Sequence, residues 1–207
     1  AGCGTAMSPT AGQLASKPGG MYKVAVGKKY YVKFYADDAQ ARSEQLSGEI
    51  FNVMGQKTVG PRVLTVEGKT AVVSDWNEGM KTLGKSGLLA RATGSPAAQD
   101  ELADMYHAAV LTKNWDVVGL EYDNIVMDPK TLRLIQVDTG GSFKFRAMGG
   151  DKPFGPDIDE AASLMNPKFP AGQIFSAAKA ANPKAFEDSL GRLAAMDLAV
   201  VQKKFAA

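Results

Sequence analysis

Two short apolar runs set among acidic and amide residues constrain this chain more than any other feature of it. Ile125-Val126-Met127 and Leu134-Ile135-Gln136-Val137 are joined through Asp128-Pro129-Lys130. Asp followed by Pro is a strong turn signal, so the two runs read as a tight hairpin. Asn114-Trp115-Asp116 and Asp123-Asn124 precede the first run, and the second leads into Asp138-Thr139-Gly140-Gly141. The hairpin therefore carries acid and amide oxygens at its entry and exit, and a glycine pair allows a sharp turn after the last of them.

The flanking segments differ in kind. Ahead of the hairpin, Met21–Val26 and Tyr30–Tyr35 are rich in the aromatic and β-branched residues that strands favour, with a turn at Gly27-Lys28-Lys29. Asp37 to Met54 reads as a helix, capped by Asp37 or Asp38, with Leu46, Ile50, Val53 and Met54 as its apolar stripe and Gly55 as its stop. Val63–Val66 and Thr70–Ser74 form a second hairpin around Glu67-Gly68-Lys69. Gly84 to Pro96 reads as loop, Ala97 to Lys113 as a helix, and Gly149 to Pro156 as loop again. Asp157 to Lys204 is largely helical, with breaks at Pro167, Pro170 and Pro183. The expected fold class is α+β: a β-rich N-terminal lobe joined near Trp76–Gly79 to a mainly helical C-terminal lobe. The expected divisions are 1–13 as a tag remnant or flexible terminus, 14–78 as the first lobe and 79–207 as the second.

Four features along this order bear on chemistry. Gly19-Gly20, after Ser16-Lys17-Pro18 and directly before a strand, can let backbone N–H groups approach an anion closely. Lys33 shares a strand face with Tyr31 and Tyr35, where an ammonium could enter a cleft and neutralise phosphate. A carboxylate on the following helix, Glu44 or Glu49, could hold that ammonium. Asn124 and Asp138 are hard oxygen donors of the kind that suit Mg²⁺ together with phosphate oxygens and water. A separate Asp can take the proton of an attacking hydroxyl.

Taken in sequence, glycine pair, strand Lys, helix Glu and Asp…Asn…Asp-x-Gly resemble the protein-kinase-like fold. The likeness is to its atypical branch, which holds the HipA-like toxin kinases and the phosphatidylinositol-kinase group. The stretches 114–125 and 137–142 look like small kinase-like domains of phage and bacterial proteins, and the resemblance covers roughly 14–150. It implies that Gly19 and Gly20 cover the ATP phosphates, Lys33 contacts the α- and β-phosphates, and Glu44 pairs with Lys33. It further implies Asp116 as catalytic base, Asn124 and Asp138 as Mg²⁺ ligands, and Asp75-Trp76-Asn77 as the hinge whose backbone reads adenine. The sequence departs from the common kinase pattern in four respects. Asn114-Trp115-Asp116 stands where His-Arg-Asp is usual, and Thr139 stands where Phe is usual. Asp116 and Asn124 are eight positions apart, farther than in H-R-D-x-x-x-x-N, which keeps Asp123 open as the base. No Ala-Pro-Glu follows.

Composition sets the remaining bounds. With 24 Lys+Arg against 22 Asp+Glu, a net charge of +2 gives no electrostatic case for nucleic acid. One cysteine, Cys3, excludes a disulfide framework. One histidine, His107, excludes His-rich metal sites and reads as structural. Trp115 is expected to pack and orient Asp116, and Lys144 and Arg146 read as solvated loop cations. No apolar run approaches the roughly 18 residues that span a bilayer, and no export signal is read. The expectation is a cytoplasmic, monomeric, ATP- and Mg²⁺-dependent phosphotransferase acting on a protein substrate at Ser or Thr. The alternatives are a small-molecule or lipid kinase, an AMP transferase, or a non-catalytic nucleotide-binding module on the same fold.

Overall fold

The structure, a computed structural model, describes residues 7–11, 19–24, 28–76, 78–85 and 87–197. Its first region is a five-stranded antiparallel sheet with one helix against it. The strands are β1 (Met7–Ala11), β2 (Gly19–Val24), β3 (Lys29–Phe34), β4 (Arg62–Val66) and β5 (Lys69–Asp75), in the spatial order β1-β2-β3-β5-β4. β1 lies within the segment assigned from sequence to a tag remnant or flexible terminus. It instead pairs with β2, from Met7 opposite Val24 to Ala11 opposite Met21. A five-residue strand with proline at its centre gives little sequence signal, and an edge strand tolerates that proline.

Glu67 and Gly68 both have positive φ, 52° and 73°, as a two-residue turn between β4 and β5 requires. Helix α1 (Asp38–Val53) starts where Asp37 accepts the Ala39 N–H at 2.8 Å. Its buried face differs from the expected apolar stripe: Ala41, Ser43, Glu44, Ser47, Gly48 and Phe51 face inward, while Leu46, Ile50 and Val53 are only partly buried. The reason is what the helix packs on. Gly48 sits so close to Pro61 that a Cβ would fall 2.4 Å from the proline ring. Ser43 and Ser47 meet the loop after Asp138, a polar surface that an apolar stripe could not cover without stranding its hydrogen-bonding groups.

The second region holds a small sheet, β6 (Lys81–Thr82), β7 (Ile125–Met127) and β8 (Leu134–Gln136), and the helices α2 (Leu88–Gly94), α3 (Pro96–Thr112), α4 (Glu160–Ser163), α5 (Pro170–Ala181) and α6 (Pro183–Ala194). α2 falls in the stretch expected to be loop; its seven residues bury only Leu88 and Ala92, too few for a readable period. Pro170 and Pro183 begin helices rather than interrupt one, since the first turn needs no N–H from them. The main core lies here. Leu102, Met105, Ile125, Met127, Leu134, Ile174 and Phe175 are all at most 1% exposed, and α1 and its C-cap add Phe51 and Met54 to the same cluster. Smaller clusters around Val32 and Val73, and around Tyr35 and Val72, hold the first sheet. α1 thus touches both regions and fixes one against the other. Among the described residues no helix is long and apolar enough to cross a membrane.

Candidate active site

The site forms where β3, α1 and the two ends of the β7–β8 hairpin meet. Lys33 pairs with Gly19 across the β2–β3 ladder and is 5% exposed. Its Nζ lies 2.6 Å from Glu44 Oε1 and 3.2 Å from Asp138 Oδ2. Glu44, 1% exposed, also accepts a hydrogen bond from the Tyr35 hydroxyl, so each of its oxygens has a donor. Glu49, the other carboxylate considered for Lys33, instead accepts from Gln45 one turn earlier, at 3.0 Å.

Burial alone would push the Lys33 ammonium down. The charges of Asp138 and Glu44 together outweigh it and hold the group well above the ordinary lysine value. Burial raises the Glu44 carboxyl against the opposing Lys33 charge. With an ammonium on one oxygen and a phenol on the other, the geometry describes an ionised pair. Tyr35 is raised in turn by burial and by the neighbouring Glu44 charge, so its hydroxyl stays a donor. Sequence analysis had placed Tyr35 on the Lys33 face but gave it no part. Spacing by two along a strand is the signal that carries it.

The loop after β8 is latched onto α1. Thr139 Oγ1 donates to the Glu44 carbonyl at 2.9 Å, and Ser142 Oγ lies 2.7 Å from Ser47 Oγ. A threonine where kinases usually have phenylalanine thus ties the loop to the helix that carries Glu44. Asp138 Oδ1 accepts the Gly140 N–H at 2.8 Å, which orients the carboxylate, while its side chain remains 37% exposed.

The loop that carries Asp116 leaves α3 through Lys113, whose positive φ of 53° ends the helix. Asn114 Oδ1 accepts the Asp116 N–H at 3.2 Å. Asn124 Nδ2 donates to the Asp116 carbonyl at 2.7 Å and approaches Asp116 Oδ2 at 3.4 Å. The eight-position separation is absorbed by a closed loop: Asn124 N–H returns to the Val118 carbonyl at 3.2 Å. Gly119, with φ of 77°, leaves room for the Asp123 carboxylate, which a Cβ there would meet at 2.1 Å. Asp123 is exposed, whereas Asp116 is partly buried against Asn124.

Burial, then the charges of Asp138 and Asp123, push the Asp116 carboxyl up to about 6, against the Asn124 hydrogen bond and Lys152. Gln136, fully buried, bridges the two halves by donating to the carbonyls of Val117 and Asp138, both at 2.8 Å. Nothing in the sequence marks Gln136, because its work is done between loops remote in the chain.

The donor set fits a magnesium ion shared with phosphate. Asn124 donates through Nδ2, so its Oδ1 could serve as a metal ligand, and the Asp138 carboxylate, 37% exposed, could serve as another. Among the described residues no cluster of three acidic, histidine or cysteine side chains could hold a metal ion alone. Mg²⁺ is commonly held by one or two carboxylates with waters and substrate phosphates.

Of the remaining expected residues, Gly19 borders this cluster by pairing with Lys33. Gly19 and Gly20 are in strand β2 rather than in a loop. A Cβ at Gly19 would fall 2.0 Å from the Val32 carbonyl oxygen, so the bare backbone is needed for β2 to lie on β3. Asp75 forms ion pairs with Arg62 and Lys28 at 2.8 and 3.5 Å. Its N–H bonds to Val59, and that of Trp76 bonds to Lys29. Both amides are therefore engaged within the chain. Asn77 and Ser16-Lys17-Pro18 lie outside the described residues.

His107 is buried, with Nδ1 at 3.0 Å from both the Ala103 carbonyl and Ser189 Oγ, and its pKa is lowered chiefly by burial. Trp115 is not packed away as expected. At 43% exposed it lines a cleft of about 430 Å³ with Asp116, Val118, Leu120 and Phe169.

No protein-family model matches this sequence, and no curated protein matches it. Among solved structures, it is similar to the crystal structure of a Helicobacter pylori proinflammatory kinase, CtkA. The two are 13% identical, with a TM-score of 0.52, over 94% of this chain and 98% of the other. The chain has a kinase-like fold, with a β-sheet N-terminal region and a helical C-terminal region.

Proposed function

We propose that this chain is an ATP- and Mg²⁺-dependent phosphotransferase of the atypical kinase type that moves the ATP γ-phosphate to a hydroxyl, in the first instance Ser or Thr of a protein. One observation carries the reading: a buried Lys33 is held between Glu44 and Asp138, while Asp116, in contact with Asn124, stands close enough to Asp138 for that charge to raise its carboxyl. A lysine buried with two carboxylates is costly unless the arrangement has a use. Phosphoryl transfer is such a use, because it requires positioned positive charge against phosphate oxygens.

In this reading Glu44 and Tyr35 hold Lys33 so that its ammonium meets the α- and β-phosphates without reorganising. Asn124 and Asp138 would hold Mg²⁺, which when bound supplies neutralising charge across the phosphate oxygens. Asp116 accepts the proton of the attacking hydroxyl. A carboxyl raised to about 6 is still ionised at pH 7, and it is more basic than an ordinary aspartate. Asp123, exposed and without the Asn124 contact, contributes charge to that shift rather than the base itself. The apolar cleft with Asp116 in its wall is where the acceptor would lie. Gly19 and Gly20, at the start of β2 beside Lys33, would lie over the phosphates, and the segment from Asp75 to Asn77 would border the adenine.

The test is transfer of label from γ-labelled ATP with Mg²⁺ to a generic protein substrate. Label transferred by the wild type and lost in Asp116→Asn and Lys33→Met is expected. Equal transfer by wild type and variants would refute the assignment.

A further inference from the structure

The proposed reaction requires Asp116 and Asp138 to keep a fixed separation, although they stand in different loops. Beyond Gly141 the chain makes a small hairpin that returns to both. Phe145 bridges to Asp151, the Arg146 N–H donates to the Gly150 carbonyl at 2.6 Å, and the Lys152 N–H donates to the Lys144 carbonyl at 2.7 Å. Arg146 Nε closes the hairpin onto the Asp151 carbonyl at 3.0 Å. From the sequence, Gly149 to Pro156 reads as loop, and Lys144 and Arg146 read as solvated loop cations. Its end presents Lys152, whose Nζ donates to the carbonyl of Lys113 and, at 2.8 Å, to that of Gly141.

Those two carbonyls mark the start of one loop and the end of the other. Lys113 is the buried residue at which α3 stops, three positions before Asp116. Gly141 is buried three positions after Asp138. A second tie runs alongside, from the Phe143 N–H to the Thr112 carbonyl at 2.6 Å. We propose that Lys152 is a positioning residue that clamps the Asp116 loop to the Asp138 loop by bridging the Lys113 and Gly141 carbonyls. An ammonium suits the task because it has three N–H donors on one atom. Its charge is placed in the field of Asp116 and Glu160, with Arg146 and Lys113 opposing. Burial lowers it to about 8, so it stays charged at neutral pH. The role rests on the phosphotransfer reading only for its kinetic consequence; the coupling of the loops stands on geometry alone.

Two measurements on Lys152→Met and Lys152→Arg test this. The first is steady-state phosphotransfer. Loss of register should lower kcat about 10- to 100-fold, since small misplacements of reacting groups cost that much. The KM for Mg-ATP should change much less than kcat, because Lys33, Glu44 and the Asp138–Gly140 hydrogen bond are not themselves altered. Lys152→Arg, which can still donate to both carbonyls, should recover most of kcat, and Lys144→Met, an exposed cation in the same hairpin, should match the wild type.

The second measurement is amide hydrogen exchange. In Lys152→Met the N–H groups of Asp116, Gly140 and Phe143 should all exchange faster, while those of α5 stay protected. Three results overturn the proposal: wild-type kcat in Lys152→Met, equal losses in the Met and Arg variants, or unchanged exchange in both loops. A wild type that neither binds Mg-ATP nor transfers label would overturn the phosphotransfer reading instead, and the exchange data would still decide whether Lys152 couples the loops.

Discussion

Replacing Asp116 by asparagine should make the protein more stable while removing its chemistry, and the gain should depend on pH in a defined way. Burial and the charges of Asp138 and Asp123 raise the Asp116 carboxyl from 3.8 to about 6. That displacement corresponds to about 3 kcal/mol against the ionised form. The side chain keeps contact with water, so screening reduces the effect to about 1–2 kcal/mol. Between pH 4 and 6 the folded state binds more protons at this site than the unfolded chain does. Wild-type stability therefore falls as pH rises through that window. The penalty is complete above the folded value and absent below the unfolded one. Asp116→Asn lacks this titration. Urea unfolding followed by circular dichroism at pH 4, 5, 6 and 7 should show the variant equal to the wild type at pH 4 and about 1–2 kcal/mol more stable at pH 7. A stability difference that does not change with pH, or a less stable variant at pH 7, would refute the electrostatic account of this carboxylate.

Other outcomes follow from the same contacts. Lys33→Met leaves the buried Glu44 carboxylate without its cation and should cost about 3–5 kcal/mol in chemical denaturation; adding Glu44→Gln should recover part of that loss. Gly19→Ala places a Cβ 2.0 Å from the Val32 carbonyl oxygen and should lower stability by about 1–3 kcal/mol in thermal melts, as β2 is forced off β3. Glu101→Ala removes the acceptor of the buried Leu134 N–H, now 2.6 Å away, and should cost about 1–3 kcal/mol. The pH profile of kcat/KM should show an acidic limb near pH 6, with activity lost as Asp116 takes up its proton.

The parts legible in the sequence were those encoded locally. Aromatic and β-branched residues marked β3, Glu67-Gly68 marked the β4–β5 hairpin, and Asp128-Pro129 marked the turn that brings Asn124 and Asp138 to neighbouring strand ends. The order of Lys33, Glu44, Asp116, Asn124 and Asp138 could be read along the chain because each stands at an element boundary or on a predictable face. What escaped was set by partners distant in sequence. The inward face of α1 is serine, glycine and glutamate because a polar loop about 95 residues later lies against it, so an apolar period points to the wrong side. Gln136 and Lys152 act by donating to backbone carbonyls of other loops, which no side-chain pattern announces. β1 is too short to show a period of its own, and α2 is short and buries only Leu88 and Ala92.

The measurement closest to the central claim is incubation with γ-labelled ATP and Mg²⁺, with and without a generic protein substrate, for the wild type beside Asp138→Ala. Asp138 meets Lys33 and, in the proposed reading, would hold the metal. The account predicts label on protein with the wild type alone and a loss of several orders of magnitude in the variant. Wild-type protein that neither transfers label nor binds Mg-ATP, or a variant that transfers as well as the wild type, would contradict it.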